Sequence, residues 1–459
     1  MEWETVSQNL IELNAKIDLI FLFFKGTALI AAAAALLFWL YKSNPFARRA
    51  VRYFLGLFRR LYKKEDLPSP YLSVFGFVFM ADGWGKISVE VMDALKGEFS
   101  IGFVQTRLKH SLADVPNDVR PILSRKNFPI GKVVLYTDCA WSTEKQPILD
   151  RLLKDPNAGD QIRIAYSMFE SNKIPAFWVS IIHRYFDAVA VPDPYFIEVY
   201  KNSGIQRPVF SLPLCVNYSP FRSKPLKTKR RAPLVFADFS VFVPRKNHLT
   251  LIRAFFKAFN NQPDVHLKLH GRYAQGDWDQ LLLEEIRKLG STNVSLAKSS
   301  LPLKEYIELF QSVDCYVNLS KGEGFSIPPR EAMMQGIPVI CADNTALSTI
   351  CNSGFVRRVP SLCMEPAYYH WTGKGYYGSF FNCTVEETAA ALRDVYEHYD
   401  KYLLQAQSAR EWAEAYDSRC LKPLYRSLVK PEKVLLGSEN KIAADYLMTD
   451  SKDLFQKYL

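Results

Sequence analysis

No two of the eight cysteines stand in a Cys-x-x-Cys pair, so the sequence offers neither a zinc knuckle nor a dithiol redox centre. They are scattered at positions 139, 215, 315, 341, 351, 363, 383 and 420, several inside apolar runs, and a reduced, cytosolic setting is the simpler reading. Internal repeats are also missing, and only Ala31–Ala35 is low in complexity. No acid occurs between Lys42 and Lys64, a stretch with eight basic residues; removing it lowers the net charge from +11 to +3. The basicity is therefore local, and a general affinity for nucleic acid is not expected. With 48% hydrophobic and 14% aromatic residues in 459, the chain has material for two or three packed domains and none of the poverty of a disordered one.

One long apolar run is present. Leu19 to Tyr41 is 23 residues with a single charge, Lys25. As a helix it reaches about 34 Å, against a hydrocarbon core of about 30 Å. From Gly26 onward the uncharged part alone reaches about 24 Å, and Lys25 near the end can snorkel to the interface. Without a small-residue cleavage site followed by a polar start, an uncleaved anchor is expected over a signal peptide; a buried core helix is the plainer alternative. The acids Glu2, Glu4, Glu12 and Asp18 precede the run and the bases follow it, which orients the bulk of the chain to the cytoplasm. Within 46–64, Phe46, Val51, Phe54, Leu55, Phe58, Leu61 and Tyr62 gather mostly on one helical face with arginines opposite. This is the pattern of an interfacial helix on anionic lipid, or of a helix packed on the soluble part.

From Tyr71 short apolar strands alternate with helices, the mark of α/β layers. Tyr71–Met80 reads as a first strand, and 81–86 (Ala-Asp-Gly-Trp-Gly-Lys) as a ligand-tolerant turn before a helix at Ile87–Leu95. Further strands are expected at Val133–Tyr136, Gln161–Ser167 and Ala188–Val191. A polar, basic, Pro-containing stretch at 219–233 then reads as a linker. A second series follows from Leu234, with helices dominating Thr384–Leu428. The expected divisions are a short segment at 1–18, an anchor at 19–41 and a basic amphipathic helix at 42–66. After these come a Rossmann-like acceptor domain at 67–220, a linker at 221–233, a Rossmann-like donor domain with terminal helices at 234–428 and a tail at 429–459.

Two motifs in the second series carry chemistry. Pro244-Arg245-Lys246-Asn247-His248 places two cations at a helix mouth, suited to a diphosphate, or else forms a solvated basic loop. Residues 323–331 (Glu-Gly-Phe-Ser-Ile-Pro-Pro-Arg-Glu) set two carboxylates eight positions apart in a turn between the strand Asp314–Leu319 and a short helix at Ala332–Gln335. Gly322 and Gly324 let backbone approach a ligand closely. Pro328 and Pro329 suit a helix start, whose free amides favour an anion. A carboxylate beside phosphate is repelled, so Glu323 and Glu331 suit sugar and ribose hydroxyls; two solvated loop acids are the plainer reading.

Glu323, Glu331-Ala332 and Gly336-Ile337-Pro338-Val339-Ile340 resemble the Glu-x7-Glu motif and its sequel in the retaining glycosyltransferases of family 4, of GT-B fold. Arg245-Lys246-Asn247 resembles that family's diphosphate clamp. The stretches Tyr166–Ser171 with Ile174-Pro175, and Phe186–Pro192, are similar to members as well. The resemblance implies two Rossmann-like domains facing a cleft, here preceded by a transmembrane helix. It implies Arg245 and Lys246 on the diphosphate, Glu331 on the ribose, Glu323 on the donor sugar and the amides of Phe325 and Ser326 in the anion site. Ser299–Leu303 would border the base, and Gly83 and Gly85 would lie across the cleft. The donor is a nucleotide-diphosphate sugar, with no metal and no other cofactor required. Two departures stand out. Ser326 takes a place often held by Gly, which a turn at negative φ would tolerate. Phe169-Glu170 falls where many members carry a histidine, so Glu170 is the candidate catalytic group on the first half. The expected partner is a glycan or lipid-linked acceptor at an anionic membrane surface. The alternatives are an epimerase or phosphorylase of the same fold, or a silent membrane scaffold.

Overall fold

The structure is a computed structural model that describes residues 70–429, apart from 81–82, 108–110, 126–127, 156–157 and 223. The expected anchor at 19–41, the basic helix at 42–66 and the tail from 430 lie outside the described residues. Among the described residues no helix is long and apolar enough to cross a membrane.

Two six-stranded parallel sheets form the frame. In the first half the order is β2-β1-β3-β4-β5-β6, from β1 (Leu72–Gly76), β2 (Ile101–Gln105), β3 (Val133–Tyr136), β4 (Ile162–Tyr166), β5 (Ala188–Val191) and β6 (Val209–Ser211). In the second the order is β12-β11-β10-β7-β8-β9. Its strands are β7 (Leu234–Asp238), β8 (Val265–Gly271), β9 (Val294–Lys298), β10 (Cys315–Asn318), β11 (Val339–Asp343) and β12 (Arg357–Pro360). Strands such as β3 (Val-Val-Leu-Tyr) and β5 (Ala-Val-Ala-Val) are buried at every position because helices cover both sheet faces.

The expected strands at 133–136, 161–167, 188–191 and 234–237 are present to within a residue. The first strand is shorter than expected, Leu72–Gly76, and its helix begins earlier than expected, at Gly83 inside the Gly-Trp-Gly turn. Among the strands, β2, β6, β12 and an antiparallel hairpin of β13 (Cys363–Tyr369) and β14 (Gly375–Asn382) escaped the sequence, as did first-half helices such as Ala176–Tyr185 and Tyr195–Asn202. The final helix, Ser418–Val429, was grouped with the second half but packs on the first. Lys422 and Arg426 pair with Glu98, and the Tyr425 hydroxyl donates to the Pro213 carbonyl. Both halves belong to one compact unit.

Candidate active site

The carboxyl end of β7 leads to the cation motif. A single 3-10 turn, Pro244–Lys246, is followed by Asn247 at φ 64°, and this left-handed residue redirects the chain into the helix His248–Phe259. Asn is one of the few side chains that tolerates that conformation. The Lys321 amide donates to the Arg245 carbonyl, tying the cation turn to the acidic one.

The acidic turn follows β10. Here the structure changes the expected layout, since the helix starts at Ile327, so Glu331 lies within it and not in a turn before it. Ser326 corrects a second expectation, because its φ is +68°, not negative. The chain must reverse sharply to present the helix Ile327–Met334 to the cleft, and an Asn318 amide hydrogen bond to Ser326 Oγ (2.9 Å) helps hold it. Arg330, fully buried, braces the turn from behind. It donates to the Phe325 and Ser326 carbonyls, lies 3.8 Å from the Phe325 ring centroid, and stands 4.0 Å from Asp193 of the first half.

Gly322 and Gly324 are needed for a different approach from the one expected. A Cβ at Gly322 would lie 1.9 Å from the Glu170 carbonyl, and one at Gly324 would lie 3.1 Å from that of Phe169. What comes close is the Met168–Glu170 loop of the facing half.

The charges meet where these loops meet. Glu323 contacts Lys246 Nζ and stands 3.4 Å from Arg245, while Arg245 also donates to the Gly322 carbonyl and lies 3.4 Å from Glu170. Burial works to raise the Glu323 carboxyl, but Lys246 and Arg245 outweigh it and hold it down at about 2. For Glu170 the balance is reversed, and burial raises the carboxyl above its ordinary value despite Arg245. Glu331 accepts from the Tyr306 hydroxyl (2.7 Å), and Lys86 of the first half reaches within 3.8 Å of it.

These groups line a cavity of about 1560 Å³ between the halves. Arg245, Lys246, Glu323, Phe325, Ser326, Glu331, Glu170 and Gly83 all lie on its wall, as do Ser299, Ser300, Leu301 and Leu303. Gly85 does not: a Cβ there would lie 2.5 Å from the Phe79 carbonyl, so its role is to let the turn pack on its own strand. The sequence missed Lys86, Tyr306, Glu90 and the hairpin, whose Tyr368, Tyr369 and His370 also line the cavity. Lys86 follows the glycine turn by one residue and could have been read from it; the hairpin has no signal of that kind.

Residues 223–359 match the sequence profile of the family described as Glycosyl transferases group 1. The second half is a glycosyltransferase domain, and the chain a glycosyltransferase. No curated protein matches the sequence. Three solved structures show the arrangement of the halves. The Anabaena protein HepE, in complex with UDP-glucose, is 12% identical with a TM-score of 0.57, over 79% of this chain and 100% of its own. Sucrose-phosphate synthase from Thermosynechococcus elongatus is 13% identical with a TM-score of 0.57, over 78% and 98%. The apo form of the lipopolysaccharide outer core galactosyltransferase WaaB is 14% identical with a TM-score of 0.54, over 79% and 99%. At these identities the likeness is one of fold, and this glycosyltransferase has the two-domain GT-B arrangement.

Proposed function

We propose that the protein is a membrane-anchored, retaining glycosyltransferase of family 4 that moves a sugar from a nucleotide-diphosphate donor to a glycan or lipid-linked acceptor on the cytoplasmic face. The observation that carries the reading is the cluster of Arg245, Lys246 and Glu323 against the amides at the start of the helix Ile327–Met334, inside a cleft wide enough for a nucleotide sugar.

In this reading the bond from the sugar's anomeric carbon to the diphosphate breaks and its electron pair leaves with the phosphate. Arg245, Lys246 and the Phe325 and Ser326 amides meet that growing charge, as preorganised donors do at lower cost than water. The acceptor hydroxyl bonds the same face of the carbon, and its proton passes to the departing phosphate oxygen. Glu323 and Glu170 orient the donor sugar and offset the positive charge on its ring. Glu331, fixed by Tyr306, takes the ribose hydroxyls. No step is assigned to a metal. UDP-glucose bound to HepE supports a nucleotide-sugar donor.

The test is a thermal-shift screen of UDP, GDP and ADP sugars, then product analysis with membrane extract and a chelator. A stabilising sugar nucleotide and a product with the donor's anomeric configuration are expected. An inverted product sinks the retaining reading, and no stabilisation by any nucleotide favours the silent scaffold. Removing residues 1–66 tests the anchor separately, because a truncated chain still tightly bound to membranes rules it out.

A further inference from the structure

The helix Gly83–Leu95 turns one stripe toward the cavity. Gly83, Lys86, Val89, Glu90 and Asp93 line the cavity wall, while Ile87, Val91, Ala94 and Leu95 are buried. Positions 86, 89, 90 and 93 are neighbours at i, i+3, i+4 and i+7, so one helical face carries them all. Glu90 is the unusual member. It is 6% exposed, and its carboxyl makes no hydrogen bond among the described residues. Its oxygens are not sealed off as Glu170 Oε2 is but open to the cavity, where a ligand can pair with them.

We propose that Glu90 is a hydrogen-bond donor to the nucleoside part of the donor substrate, reading a ribose oxygen or base carbonyl from the wall opposite Glu331. The proposal rests on the donor-site reading above, which gives Glu331 and Ser299–Leu303 to the ribose and base. Lys86, one turn before Glu90, already reaches within 3.8 Å of Glu331, so the two walls converge at that point. The surroundings keep Glu90 neutral. Burial pushes its carboxyl up to about 8; Lys86 opposes this, while Asp93 on the same helix, Asp417 before the final helix and Glu331 from the facing helix add to it. Cys215, also on the cavity wall, has its thiol pushed up by its own burial first and by Glu90 second. Arg222 and Arg419 are bound to Asp417. A neutral carboxyl can approach a nucleotide already flanked by Glu331; a second carboxylate there would repel the phosphates.

Calorimetric titration of the full chain with UDP, GDP and ADP at about pH 7 and pH 9 tests this, using the wild type, Glu90→Gln and Glu90→Ala. For whichever nucleotide binds, the wild type should weaken roughly tenfold at the higher pH as the carboxyl ionises. Glu90→Gln, which keeps a donor but cannot ionise, should match the wild type at pH 7 and hold its affinity at about pH 9. Glu90→Ala should be weaker at both. Melting curves at both pH values separate a purely structural role, which would move the melting temperature and leave affinity alone. Equal loss in wild type and Glu90→Gln, or full affinity in Glu90→Ala, overturns the proposal and leaves the donor site standing. Failure of all three nucleotides to bind the wild type at pH 7 overturns both.

Discussion

Glu323 and Glu90 face one cleft from opposite halves, both buried, and they are driven in opposite directions. Glu323 has two cations at hand and is held ionised at about 2. Glu90 is pushed up to about 8 by its burial first, with one lysine opposing and three acids adding to it. Burial pushes both carboxyls up; at Glu323 two cations outweigh it, while at Glu90 the single lysine does not. The same contrast divides the halves in stability. Glu323, lowered on folding, contributes stability that is present above its ordinary value of 4.5 and lost as pH falls through about 2. Glu90, raised on folding, contributes stability that is present below 4.5 and lost as pH rises through about 8. One carboxyl is placed to stay charged and the other to stay neutral.

The largest test of that contrast is Lys246→Ala. It removes a cation from the charged wall, and transfer should fall by about 10²–10³ in kcat/KM, the loss typical of one preorganised charge-stabilising group. Lys145→Ala, at an exposed residue lining the same cavity, is the control and should cost less than about threefold. Equal losses in both would mean that the cavity needs positive charge in general and no clamp in particular. Next is Gly322→Ala, which attacks the seam between the walls. Its Cβ would stand 1.9 Å from the Glu170 carbonyl, which belongs to backbone and cannot swing aside. A loss of about 2 kcal/mol in unfolding free energy is expected from such overpacking, with the donor KM raised as the walls part. Unchanged stability would show that the halves do not meet there.

A smaller effect is expected at the point where the walls share a ligand. Glu331→Gln keeps a hydrogen-bond acceptor for Tyr306 but loses the charge that Lys86 approaches. The donor KM should rise about tenfold, equal to about 1.4 kcal/mol, with kcat unchanged. A fall in kcat with no change in KM would move Glu331 from holding the nucleotide to the chemistry itself.

The charged wall was legible because its residues are close in sequence. Arg245-Lys246 and Glu323–Glu331 each sit on one loop, at the carboxyl end of a strand of recognisable apolar character. The facing wall was not, because its members matter through what lies across the cleft. Nothing in the local pattern around Glu90 separates it from a solvated helix acid; only the fold brings Glu331 and Asp417 toward it. Glycine spacing showed that something approaches Gly322 closely, and only the fold showed that it is the Glu170 backbone. The hairpin β13–β14 escaped for another reason. Its strands mix exposed Met364, Tyr368 and Tyr376 with buried Ala367 and Tyr369, so the alternation is blurred by the irregularity between Pro366 and Tyr368. The final helix shows amphipathic patterning well enough, but no pattern says which half it will cover.

The smallest expected effect is at Ser326, where the charged wall carries its own backbone strain. A φ of +68° costs a side-chain-bearing residue roughly 1 kcal/mol, which glycine avoids. Against that, glycine loses the Asn318 hydrogen bond, about 1 kcal/mol, and leaves Asn318 buried without this partner. It also has more unfolded-state freedom to give up, about another 0.5–1 kcal/mol. Ser326→Gly should therefore be slightly destabilising, by about 1 kcal/mol or less, even though it removes strain. Ser326→Ala keeps the strain and loses the hydrogen bond as well, so it should be the less stable of the two. If Ser326→Gly melts above the wild type, the hydrogen bond contributes little and strain dominates the turn. If Ser326→Ala is the more stable variant, the left-handed backbone costs less than supposed, and the serine is held there by its hydroxyl alone.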